Sequence, residues 1–247
     1  MTTTPRFLLL QARNADDPVR ESERQDFLWA TGLPAEAIVP YDMLQGPPSP
    51  ALWQSYDGLF VGGSGEYNVS DGSCPHFPAT LDFLNDVVVA AKPMFATCFG
   101  FQLLSVALGG QVARDLDRAE IGTFRVYLTP EGRSDELFHR LPPSFPAQLG
   151  HKELTTRFPQ GAVLLAYSDR VPYQALRIPD APIWATQFHP ELSRESNLGR
   201  LMRYREVYVH TLGEEGFRRL VDNFHDSPEA NLLLRWFLEL VFDYRAA

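Results

Sequence analysis

The chain is poor in several things, and each shortage excludes a class of protein. Only two cysteines, Cys74 and Cys98, occur in 247 residues. That is too few for a disulfide scaffold and fits a reducing, cytoplasmic setting. No C-x-x-C or H-x-x-x-H spacing is present, so no metal site is expected. No G-x-G-x-x-G and no Gly-Lys-Ser/Thr follows a strand-like segment, so nucleotide binding is unsupported and no cofactor is expected. Long apolar runs are missing too. Phe7 to Leu10 is short, and Leu232 to Phe242 is broken by Arg235 and Glu239, so neither a signal-peptide core nor a membrane span is expected. Positive charge is scarce: 22 Lys+Arg against 31 Asp+Glu leave a net charge of −9. Nucleic acid and anionic membrane surfaces both attract basic faces and are disfavoured as partners.

What is present is ordinary globular composition, 45% hydrophobic and 21% charged. The length suits one large α/β domain or two small ones and leaves no room for a synthetase. Arg6 to Gln11 reads as a buried strand. Asp17-Pro18 reads as an N-cap followed by proline at the first helical position, opening a helix to about Ala30. Short strands are expected at Ala37–Val39, at Asp57–Val61, which ends at Gly62-Gly63-Ser64-Gly65, and at Met94–Thr97. Helices are expected at Phe77–Ala91, with Leu81, Leu84, Val88 and Ala91 on one face, and at Gly100–Leu108, stopped by Gly109-Gly110. This alternation indicates a doubly wound, mostly parallel sheet flanked by helices.

Six strand candidates follow: Gln111–Asp115, Gly122–Leu128, Ala147–Leu154, Val163–Tyr167, Tyr173–Ile178 and Ile183–Phe188. They read as hairpins added to the sheet. After His189-Pro190-Glu191 the chain turns helical to its end, through Leu198–Arg205, Phe217–Phe224 and Leu232–Tyr244. Trp236, Phe237 and Phe242 are assigned to helix packing.

The densest signal is Ala96-Thr97-Cys98-Phe99-Gly100-Phe101-Gln102. An apolar strand meets a helix at Cys98, with small residues two positions to either side. A sharp strand-to-helix turn of this kind holds a nucleophile exposed above a sheet. The helix N-terminus favours a thiolate, and the N–H of Phe99 points at a developing oxyanion. A small buried apolar cysteine is an equally available reading. Cys74 lies in a loop without such a setting.

In Gln187-Phe188-His189-Pro190-Glu191, side chains two apart on an extended segment project to the same side. His189 can therefore face Cys98 as a base, with Glu191 orienting it. A capped strand end is the plainer alternative. The glycines at 62–65 allow close backbone approach, and Gly63 is the candidate for a second oxyanion N–H; an ordinary turn is the plainer alternative here as well.

Together these segments resemble the class I, or triad, glutamine amidotransferase family. The order Gly-Gly loop, G-x-C-x-G-x-Q, F-H-P-E appears in Val61–Gly65, Ala96–Gln102 and Gln187–Glu191. The resemblance covers about residues 6 to 205 and is nearest to stand-alone members similar to the glutaminase domain of guanosine-monophosphate synthetase. It implies a flavodoxin-like fold over residues 1–205, with residues 206–247 a C-terminal helical extension packed on the same domain. It implies that Cys98 attacks the side-chain carbonyl of glutamine or a γ-glutamyl compound, that His189 is the base and Glu191 its orienter, and that a γ-glutamyl thioester forms and hydrolyses. It further implies an oxyanion hole from Gly63 and Phe99, with Gln102, Gly150 and His151 at the substrate.

The sequence departs from the family pattern in three places: Ala96 stands at a usual glycine, Ser64 at a frequent proline, and the stretch from about Tyr208 is longer than the minimal domain requires, open to reading as a helical lid or an oligomer contact. Open alternatives are a glutaminase subunit that depends on a synthetase partner, a homo-oligomer, and a non-catalytic binding module of the same fold. A cysteine peptidase or chaperone-like relative usually has histidine directly after the elbow, where this chain has Phe99.

Overall fold

The computed structural model describes residues 3–245. The first half contains β1 (Phe7–Ala12), α1 (Val19–Thr31), β2 (Ile38–Asp42), α2 (Pro50–Gln54), β3 (Gly58–Ser64), α3 (Phe77–Val89), β4 (Met94–Thr97) and α4 (Phe99–Ala107). Then come β5 (Gln111–Arg114), β6 (Glu120–Leu128), α5 (Pro130–Ser134), β7 (Ser144–His151), β8 (Glu153–Arg157), β9 (Val163–Ser168), β10 (Ala175–Ile178) and β11 (Ile183–Thr186). Three helices follow: α6 (Arg194–Arg203), α7 (Arg205–Asp222), kinked at Gly213, and α8 (Leu233–Phe242).

A nine-stranded sheet runs β2-β1-β3-β4-β11-β10-β9-β6-β7. Strands β2, β1, β3, β4 and β11 are parallel, and β10, β9, β6 and β7 extend the sheet by antiparallel pairing. β1 has β2 on one side and β3 on the other, so the winding direction reverses there. In such sheets the crevice beyond the strand C-termini at the reversal is where ligands bind.

Alternation along the strands supplies both faces with apolar side chains. Phe7, Leu9, Phe60 and Phe95 face α1 and α8, while Leu8, Leu10, Leu59, Val61 and Ala96 face α3 and α4. The last helix is a structural part of the first face. Phe237 of α8 is fully buried and makes edge-on or tilted contacts with Phe7, Phe60, Phe95 and Trp184.

Several local expectations differ from the structure. Pro18 is the formal N-cap of α1, and Asp17 still serves the helix start by accepting the Val19 N–H at 2.7 Å. The Gly62-Gly63-Ser64 segment belongs to β3, because β1 continues to pair alongside it as far as Ser64. The buried face of α3 is Thr80, Phe83, Leu84 and Val87, one step from the expected stripe, because Phe83 packs against Trp53 of α2. The expected strand Ala147–Leu154 is two strands, β7 and β8, divided at Lys152. β8 pairs with β5 in a separate two-stranded sheet, so not every added strand joins the main one.

Candidate active site

Cys98 is the single residue between β4 and α4, and its backbone sits at φ 51°, ψ −101°. This lies outside the basins that side chains favour and costs on the order of 1–3 kcal/mol, a cost the surrounding structure must hold in place. Two contacts do so: the Cys98 N–H donates to Thr186 O at 2.7 Å, and Gln102 N–H donates to Cys98 O at 3.0 Å. The small neighbours have definite reasons. A Cβ at Gly100 would stand 2.7 Å from the Val61 carbonyl oxygen, so any side chain there would lever α4 off β3. The Ala96 methyl packs in the core between β3 and β11. Phe99 opens α4, so its N–H has no acceptor within the helix.

β11 runs parallel beside β4 with Thr186 opposite Thr97, so the residues leaving β11 arrive next to Cys98. His189 Nδ1 lies 2.6 Å from Glu191 Oε1, and Cys98 acts electrostatically on the same ring. Glu191 is fully buried and also accepts from Thr97 Oγ1 at 3.3 Å. Burial of the imidazole works against its proton. The charges of Glu191 and Cys98, with their hydrogen bonds, outweigh burial and raise the His189 pKa from 6.5 to about 10. A thiol, a ring that can carry its proton and a carboxylate that fixes the ring are therefore assembled at one point. Cys74 is buried like Cys98, and burial pushes its thiol up to about 11.

Gly63 does not present its N–H to Cys98 as expected from the sequence. That N–H donates to Glu23 Oε1 at 3.1 Å. The reason is a polar knot behind the glycines. Glu23, on α1 and fully buried, also accepts from Arg13 at 2.8 Å and from Gln11 at 3.0 Å, and Arg13 reaches on to Asp17 at 3.1 Å. Burial opposes ionisation of Glu23, and the Arg13 charge overcomes it, holding the carboxyl below its usual range. A Cβ at Gly62 would meet this carboxylate at 2.8 Å, and one at Gly63 would stand 3.3 Å from His189 Cε1. A side chain at position 62 would have to displace the Glu23 carboxylate, and one at position 63 would press on the His189 ring.

The other expected residues surround the same cavity, about 200 Å³ in volume, which Cys98, Phe99, Gly63, Gln102, Gly150 and His151 help to line. Their side chains are more committed than the sequence suggested. Gln102 spends both amide hydrogens inside the protein, on Glu153 O at 2.9 Å and Gln187 Oε1 at 3.0 Å. Gln187 in turn points its amide nitrogen at Cys98 Sγ, 3.6 Å away. His151 is buried with Nδ1 2.9 Å from Glu153 O and Nε2 3.0 Å from Glu120, which makes it a brace for the β7–β8 corner. Gly150 is exposed on the cavity wall.

Sequence reasoning did not single out Gln187, Arg13 or Glu23. Nor did it find Tyr204 and Tyr208, which line the cavity from the end of α6 and from α7. Gln187 directly precedes Phe188-His189-Pro190-Glu191, and that position is the signal that could locate it. Among the described residues, no group of three or more His, Cys, Asp or Glu is placed to hold a metal, and no helix is long and apolar enough to cross a membrane.

A parallel α/β sheet with a strained cysteine at a strand end and a buried His–carboxylate pair beside it has the form of a thiol-dependent acyl-transfer protein. Comparison narrows the class: residues 38–205 match the glutamine amidotransferase class-I family, and the chain belongs to that family. It is 35% identical over 109 residues to a subunit of the glutamine-hydrolyzing GMP synthase of Methanocaldococcus jannaschii, covering 44% of this chain and 56% of that protein. It is 32% identical over 184 residues to a gamma-glutamyl-L-1-hydroxyisopropylamide hydrolase of a Pseudomonas species, covering 71% of this chain and 59% of that protein. The matches thus span less than two thirds of each relative. A glutamine amidotransferase from Thermotoga maritima shares the fold at a TM-score of 0.73 and 18% identity, over 98% of this chain and 100% of that one.

Proposed function

We propose that the chain is a hydrolase for the side-chain amide of glutamine or of a γ-glutamyl compound, with Cys98, His189 and Glu191 as its triad. The observation that carries this is the buried chain of contacts from Cys98 through the His189 ring to Glu191, 2.6 Å from Nδ1. The Cys98 sulfur attacks the γ-carbonyl carbon, and its proton resides on His189. The carbonyl oxygen becomes an oxyanion beside the Phe99 N–H, with the Gly63 N–H joining once Glu23 releases it. His189 then gives its proton to the leaving nitrogen, and ammonia or an amine departs from a γ-glutamyl thioester. Water, deprotonated by His189, attacks the thioester, and glutamate leaves as sulfur recovers the proton. Gln102 and His151 act by holding Gln187 and the β7–β8 corner, and Gly150 supplies backbone at the cavity wall. The two free cysteines accord with a reducing, cytoplasmic setting.

The γ-glutamyl amide hydrolase reading is favoured over the synthetase-partner reading because similarity to the Pseudomonas hydrolase extends over 71% of the chain, against 44% for the synthase relative. Two measurements test the proposal. A diazo-ketone analogue of glutamine is expected to label Cys98 and not Cys74, with no labelling in Cys98→Ala. Amine release is expected from glutamine and from a panel of γ-glutamyl amides without a second protein. Activity that appears only on adding a synthetase chain would establish the synthetase-partner reading instead. Absence of release under all conditions would leave a binding module.

A further inference from the structure

Gln187 is the residue that follows β11. It is fully buried and does not line the cavity, yet its side-chain nitrogen lies 3.6 Å from Cys98 Sγ. Sulfur is larger than oxygen, so this separation is within reach of an N–H donor, and a cysteine sulfur can accept.

Which end of the Gln187 amide faces the sulfur is settled by a backbone carbonyl two links away. Gln102 stands between Glu153 O, at 2.9 Å, and Gln187 Oε1, at 3.0 Å. A backbone carbonyl can only accept, so Gln102 turns its NH2 group toward Glu153, and the second hydrogen of that group goes to Gln187. The Gln187 oxygen is thereby committed to Gln102, and its own NH2 group is left facing Cys98. The reference carbonyl is itself fixed. The Glu153 side chain accepts from the Val69 and Ser70 N–H groups, and its backbone pairs with Arg114 across β5 and β8. The Gln187 backbone is held by its N–H on Gln174 O at 2.8 Å, and the neighbouring Thr186 O takes the Cys98 N–H at 2.7 Å. One strand end therefore grips Cys98 at both its backbone and its sulfur.

We propose that Gln187 is a catalytic residue that donates a hydrogen bond to the Cys98 sulfur, and that Gln102 is the positioning residue that orients its amide. This rests on the amide-hydrolase reading above and deepens it. Hydrogen bonds to charged acceptors are roughly twice as strong as neutral ones, so the donor is worth more to a thiolate than to a thiol. It favours the state in which the Cys98 proton sits on His189. It acts again late in the cycle. As the oxygen of water bonds to the acyl carbon and the C–S bond breaks, the electron pair returns to sulfur, and the Gln187 N–H meets the charge that forms there. The proton taken from water is then on His189.

The test compares wild type with Gln187→Met, which keeps the length and removes the donor, and with Gln102→Leu, which leaves Gln187 in place and frees its amide to turn. The first readout is the ultraviolet absorbance of the thiolate near neutral pH, taken as the difference between each protein and the same protein carrying Cys98→Ala. The thiolate-to-thiol ratio is expected to fall on the order of 10-fold in Gln187→Met, the worth of one charge-assisted contact, and by part of that in Gln102→Leu. The second readout is turnover of glutamine and γ-glutamyl amides. Here kcat is expected to fall while KM stays near wild type, because Gln187 does not reach the cavity. A residue that only packs the strand end would change stability and leave the ratio where it was.

An unchanged ratio in folded Gln187→Met overturns the assignment, as does a loss carried by KM or the absence of a thiolate signal in wild type. If Gln187→Met does not fold, Gln102→Leu decides in its place, and an unchanged ratio there overturns the assignment. The absorbance needs no substrate. A ratio that falls as expected in a protein that releases no amine therefore sinks only the hydrolase reading and leaves the Gln187 contact standing.

Discussion

The backbone N–H of Gly63 and the carboxylate of Glu23 are joined by a 3.1 Å hydrogen bond across 40 positions of sequence, from β3 to α1. In a trans peptide the N–H and the preceding C=O point in opposite directions. The Gly62 carbonyl therefore points away from Glu23. The peptide must turn before Gly63 can serve an oxyanion, and glycine on both sides of it makes the turn sterically cheap.

Weakening the Glu23 acceptor is expected to ease that turn. Hydrogen bonds to a charged acceptor are roughly twice as strong as neutral ones, so Glu23→Gln holds the Gly63 N–H less firmly. A γ-glutamyl chloroketone develops an oxyanion as it alkylates Cys98, whereas iodoacetamide does not. The ratio of the two labelling rates is expected to rise several-fold in Glu23→Gln. The variant also leaves Arg13 short of a partner and should lose about 3–5 kcal/mol of stability, so labelling belongs well below its melting temperature. An unchanged ratio in a folded variant would remove Glu23 from control of this peptide.

The His189 proton gives stability a pH dependence of definite sign. Its folded pKa, about 10, lies above the ordinary 6.5. The stabilisation is therefore fully present below 6.5 and is lost as pH rises toward 10. Denaturant melts of wild type and His189→Gln should differ most at the acid end of this window and converge toward its alkaline end. A gap that widens with pH would show that the ring is held neutral in the folded protein.

The elbow and the His-Pro-Glu segment were legible in the sequence because each is a local pattern. Cys98 between Ala96 and Gly100, and Glu191 two positions after His189, carry their geometry in their spacing. Glu23 and Arg13 were not legible. Glu23 lies in a run with Glu21, Arg24 and Asp26 that looks like the solvent face of a helix, and only the fold brings it under β3. The division at Lys152 was equally hidden, since β8 leaves the main sheet for β5, a partner about 40 positions away in sequence. The buried stripe of α3 was displaced one step because its position depends on Trp53, in a short helix that the periodicity did not reveal.

Glu191→Gln tests the orienter. A glutamine carbonyl can still accept from His189 Nδ1, but the charge that supports the ring proton is gone. Turnover of the best amide substrate is expected to fall by roughly 100- to 10,000-fold, mostly in kcat, since Glu191 is fully buried and does not line the cavity. The alkaline limit of the pH–rate profile should move to lower pH together with the His189 pKa. A loss carried by KM with an unmoved pH profile would mean that Glu191 shapes the cavity and does not tune the base.

Helix α8 falls in the stretch that the sequence marks as a C-terminal helical extension packed on the same domain. Phe237 is 0% exposed and touches Phe7 of β1, Phe60 of β3, Phe95 of β4 and Trp184 of β11, so one ring spans the parallel strands whose C-terminal ends carry Gly63, Cys98 and His189. Truncating such a residue leaves a cavity that packed strands cannot fully close, at a cost of about 3–5 kcal/mol. Phe237→Ala is therefore expected to melt well below wild type, and Phe237→Leu to recover part of the loss. The site should respond as a unit: at a temperature where Phe237→Ala is folded, Cys98 labelling by the diazo-ketone should proceed close to the wild-type rate, and above its transition both should vanish together. Removal of α8 with no change in the melting transition would show that β1, β3, β4 and β11 are stable without it.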